Sequence, residues 1–148
     1  MCYKNYGKWG KLVSLLLFIL YAAVLLRLTV LRDEVFTGSK ADGYRINLKL
    51  WDMYEYFLRT GQVVQYRYLL LGNYICLAPL GFACPFFRKD SGVLLALAVC
   101  LGTTVFIELW QLVLNVGYFE LDDMILNTLG GISGYALFRL TEKALKKE

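Results

Sequence analysis

Four stretches of this chain are apolar and long enough to cross a lipid bilayer, which takes about 20 residues of helix. They are Leu12–Leu31, Leu69–Phe87, Gly92–Leu114 and Met124–Leu140. Charges within them are few: Arg27 in the first, none in the second, Glu108 in the third and Arg139 in the fourth. One such stretch could be the core helix of a soluble domain. Four together in 148 residues, of which 58% are hydrophobic and 19% charged, predict an integral membrane protein. The expected fold is all-α, a single domain over residues 1–148 built as a bundle of four spanning helices. The first stretch follows a basic segment, as a secretory signal would, but no small-x-small cleavage pattern follows it, so it reads as a retained span.

Lysine and arginine set the orientation. Lys4, Lys8 and Lys11 precede the first span, Arg88 and Lys89 separate the second from the third, and Lys143, Lys146 and Lys147 end the chain. These pieces belong in the cytoplasm, so both termini are expected there, in the cell membrane. The acids Asp33, Glu34, Asp42, Asp52, Glu55, Glu120, Asp122 and Asp123 fall on the other side. The net charge of +4 is then an orientation signal, and no nucleic-acid partner is implied. The one long outer loop, residues 32–67, turns aromatic at INLKLWDMYEYFLRTGQVVQYRYL. Leu48–Leu58 within it is expected to form a short helix lying at the membrane interface.

Several chemistries drop out. The chain has no histidine, which removes imidazole-based nucleophile pairs and metal sites. Cys2, Cys76, Cys84 and Cys100 show no CxxC spacing and read as small apolar residues. There is no phosphate loop. No metal or other cofactor is expected.

What remains is a set of polar residues at one depth. Counted inward from the outer helix ends, Arg27, Asn73, Glu108, Gln111 and Asn127 all lie about 4–9 Å from the boundary, with Asp123 at the rim. Glu108 and Gln111 share a helix face by their spacing of three, and Asp123 and Asn127 by their spacing of four. Charged groups within a bilayer turn toward the bundle interior and mark functional sites. A shared cavity open to the outer leaflet is therefore expected, with Arg27 as partner of Glu108 and Asn47 added from the loop. The bland alternative is hydrogen-bonded packing without a ligand. Gly130 and Gly134 form a close-packing face, which could also serve a homo-oligomer.

The same residues carry a resemblance. Glu108-x-x-Gln111, followed by FELDDMILNTLGGISGY with Glu120, Asp123, Asn127, Thr128, Gly130, Gly131 and Gly134, resembles the signature of the VanZ-like family. INLKLW at 46–51 and GNYICLAPLGFACP at 72–85 resemble two further elements of it, so the match spans about 45–138. Gly117 and Tyr118 stand where many members have an arginine, and Glu120 where an aspartate is usual. The resemblance implies a cell-envelope protein linked to resistance against teicoplanin-type lipoglycopeptides. The expected partner is a membrane lipid, a lipid-linked wall precursor or the lipoglycopeptide, with Arg27, Asn47, Asn73, Glu108, Gln111, Asp123 and Asn127 as ligand-binding candidates. The competing expectation is a membrane enzyme acting on such a substrate, with Glu108 or Asp123 as general acid/base or several carboxylates holding a divalent cation through oxygen ligands. A transport path is disfavoured, because no polar residues continue the cluster toward the cytoplasmic side.

Overall fold

The computed structural model describes residues 7–31, 46–88 and 90–145. Helix α1 is Lys8–Thr29, strand β1 Ile46–Asn47, α2 Asp52–Arg59, α3 Val63–Cys76, α4 Ala78–Phe87, α5 Val93–Leu114, β2 Phe119–Glu120 and α6 Leu121–Leu145. Three helical segments of the described chain are long and apolar enough to cross a membrane: Lys8–Thr29, Val63–Phe87 and Val93–Leu114. The fourth expected span, Met124–Leu140, lies inside the 25-residue α6, whose glycines, amides and charges make it the least apolar of the long helices.

The second span is interrupted. Proline has no N–H to donate and clashes with the preceding turn, and Pro79 sits just inside the start of α4. The helix ends at Cys76, passes through Leu77, and restarts at Ala78. Leu77 is fully buried, because this break rests on the glycine stripe of α6. A Cβ on Gly130 would stand 1.6 Å from the Tyr74 carbonyl oxygen, and one on Gly134 1.9 Å from that of Ala78. From the other side, a Cβ on Gly81 would meet the Gly131 oxygen at 1.8 Å. Only glycine permits this approach. The stripe proposed for a second copy is thus buried against the chain's own α3 and α4.

Helix α6 is the hub, packed on α3, α4 and α5. Phe138 sets its ring edgewise on Phe82 and Phe86, while Ala96, Cys100 and Ile107 of α5 complete the core. Near the other end of α6, Arg139 pairs with Glu142 at 3.1 Å and donates to the Ser91 carbonyl, tying α6 to the turn before α5. Cys76, Cys84 and Cys100 are free thiols. Helix α1 has no buried residue and stands at the edge of the bundle.

Three features differ from the sequence reading. The second span begins at Val63, not Leu69, so Arg67 and Tyr68 are helical. The loop helix runs from Asp52 to Arg59, with Tyr54 as its buried residue, instead of Leu48–Leu58. The all-α expectation lacked a short parallel bridge pairing Ile46 with Phe119 and Asn47 with Glu120, which fastens the loop to the α5–α6 turn. The loop residues 32–45 lie outside the described residues, as does Cys2.

Candidate functional site

Helix α5 ends at Asn115, whose φ of 63° is the left-handed turn that commonly closes a helix. The chain then doubles back through Gly117, where a Cβ would fall 2.7 Å from the Gln111 side-chain oxygen. This tight turn brings β2 and the start of α6 against the last turns of α5. Thr104, Glu108 and Gln111, at spacings of four and three, point from α5 into that junction, and all three are buried.

Each polar group there holds a different element. Glu108 is 2% exposed, and its carboxylate accepts the backbone N–H of Glu120 at 3.0 Å, joining α5 to β2. Gln111 donates to the Thr29 carbonyl at 3.0 Å, pinning the end of α1. Asn73 donates to the Asp123 carboxylate, joining α3 to α6. Asn127 donates to the Thr104 hydroxyl at 3.0 Å. Asn47 reaches the Glu120 side chain from β1 and accepts the Lys49 N–H at 3.1 Å. The depth count therefore brings together Asn73, Glu108, Gln111, Asp123 and Asn127, with Asn47 joined to them through Glu120.

Arg27 is placed differently. It is exposed on α1 and donates to the Leu31 carbonyl at 2.7 Å, at the end of its own helix. A cation is favoured at a helix C-terminus, and a long side chain reaches the rim from a deeper Cα. The sequence reading expected it in the interior.

The sequence reading also underrated two members. Asp122 is 3% exposed and accepts the Trp51 N–H at 2.8 Å. Trp51 has φ 63°, rare for a bulky residue, and this bond helps hold it. Tyr54, 3% exposed, stacks edgewise between Trp51 and Tyr66. Burial, then the charge of Asp123, drives the Tyr54 hydroxyl far above its ordinary range, so it remains a protonated donor. The DD doublet was the available signal for Asp122, but counting one helix face kept only Asp123.

Electrostatically the junction is acidic and rich in acceptors. Burial pushes the Glu120 carboxyl up from its ordinary value, against the hydrogen bond from Asn47 and with help from Asp122. The Tyr54 and Thr128 hydroxyls, one oxygen of Asp122 and one of Asn127 are buried without a hydrogen-bond partner among the described residues. Buried acceptors left unpaired are rare and call for a donor. Among the described residues no three Cys, Asp or Glu side chains gather as metal ligands.

The sequence model described as VanZ/LLP1 matches residues 16–142, which takes in every member of this junction. A relative, Protein VanZ of Enterococcus faecium, is 26% identical over 139 residues, covering 94% of this chain and 81% of its own length. No solved structure matches the chain.

Proposed function

The chain belongs to the VanZ/LLP1 family, and from that premise we propose that it is an envelope membrane protein whose polar junction binds a headgroup rich in hydrogen-bond donors. The single observation carrying this is the pair of acceptors on Asp122 and Asn127 that find no partner among the described residues, both residues being nine-tenths buried or more. Packing glue is satisfied glue; these two oxygens have capacity left over. Hydroxyls, amides or an ammonium of a lipid headgroup, a lipid-linked wall precursor or a lipoglycopeptide match that need. In this reading α6 crosses the membrane as a fourth helix, both termini are cytoplasmic, and the junction opens at the outer face beneath the aromatic loop. The tie to teicoplanin-type resistance comes from the resemblance to the family.

The test is expression in a teicoplanin-susceptible host, with inhibitory concentration read beside protein level. The wild type raises it, and Asp122→Asn and Glu108→Gln each abolish the gain at equal protein level. Equal protection by wild type and both variants would overturn the reading. A second reading, acid–base chemistry by Glu108 or Asp123, draws on the raised Glu120 carboxyl beside them. It predicts a mass change in a wall precursor incubated with the purified protein, lost in Asp123→Asn.

A further inference from the structure

Helices α1 and α3 face each other across a space that neither fills. On α1, Tyr21, Val24, Leu25 and Leu28 form a stripe with spacings of three, one and three, so they share one face of the helix. On α3, Val64, Tyr68, Leu71 and Ile75 form the matching stripe. In an ordinary bundle two such stripes interlock. Here they bound a groove of about 670 Å³, the size of a small-molecule pocket.

Two side-chain hydrogen bonds hold α1 in place beside the groove. Helix α1 is fixed midway by the Tyr21 hydroxyl, which donates to the Cys76 carbonyl at 2.9 Å, and at its end by Gln111 on Thr29. Val30, just beyond, is buried. On the α3 side the wall is lowered by Gly72, where an added Cβ would meet nothing within 4 Å. Toward the N-terminal end of α3, Arg67 is the one charged residue in the lining among the described residues. It is exposed and makes no hydrogen bond or ion pair among the described residues. An apolar trough with a free guanidinium near one end matches an amphiphile with an anionic head.

We propose that this groove is a binding site for one anionic glycerophospholipid from the surrounding membrane, with an acyl chain between α1 and α3 and its phosphate on Arg67. Apolar chain fills the space over Gly72, and the tail end lies toward Tyr21 and Pro79. None of the residues in the polar junction lines the groove, so the site stands independently of the function proposed above.

The test is native mass spectrometry of the purified full chain, incubated with phosphatidylglycerol and phosphatidylcholine of identical chains and with a polyprenyl phosphate. The wild type retains phosphatidylglycerol in preference to the other two. Arg67→Gln lowers that preference about fivefold, the scale of a single modest charge contact. Gly72→Phe, which fills open space, loses the bound lipid, whereas Glu108→Gln keeps it. Equal retention of both glycerophospholipids by the wild type overturns the proposal, as does preference for the polyprenyl phosphate or full retention by Gly72→Phe. The wild-type comparison needs no variant, so it decides the matter even if Gly72→Phe does not fold.

Discussion

Asp122 shows how much one buried carboxylate is asked to do. One oxygen accepts the N–H of the strained Trp51, and the other has no partner among the described residues. Asp122→Ala leaves a buried donor unmet and should lower stability by about 1–3 kcal/mol. Asp122→Asn keeps an acceptor and should lose less, so the ordering of the two melting temperatures checks the bond. Glu120 gives a pH signature. Its carboxyl is raised in the folded chain, so ionisation opposes folding. That penalty is full above the folded-state value and absent below the ordinary 4.5. Stability from this residue should therefore rise as pH falls from neutral toward 4.5, and Glu120→Gln should flatten that part of a melting-temperature profile. The residue scale is also where the sequence was partly unreadable. Glu108 and Gln111 were legible because a carboxylate and an amide amid apolar residues must turn inward. Arg27 was not, because depth counted at Cα ignores a side chain long enough to reach the helix end.

Among the elements, α5 was the most legible. Its predicted bounds, Gly92–Leu114, differ from Val93–Leu114 by one residue, since an apolar run between a glycine and Asn115 leaves little freedom. The start of α3 was less so, because Arg67 and the tyrosines around it read as loop until their apolar face is seen against the groove. The β1–β2 bridge has two residues a side and leaves no periodic trace. The glycine stripe of α6 was read correctly as a close-packing face, and its occupant proves to be the break between α3 and α4. That assignment is testable. Gly130→Ala and Gly134→Ala each press a methyl into a carbonyl oxygen of the same chain. Each should destabilise the monomer by about 1–3 kcal/mol, the overpacking scale. Melting curves independent of protein concentration would place the contact within one chain, and a concentration-dependent loss would place it between copies.

For the whole molecule, the bundle has two unlike ends. At one, Arg139, Glu142 and Ser91 close α6 onto the α4–α5 turn; at the other, the loop, β2 and the first turn of α6 gather carboxylates and amides. The proposed function requires that second end to face outward, with α6 crossing between them. The most direct measurement is labelling of single cysteines, in a cysteine-free background of intact cells, by a maleimide that cannot cross the membrane. Tyr118→Cys, in the turn beside the polar junction, should label readily, and Asp90→Cys, in the turn beside Ser91, only after the cells are opened. Labelling of Asp90→Cys in intact cells, with Tyr118→Cys protected, would put the junction in the cytoplasm and contradict the account.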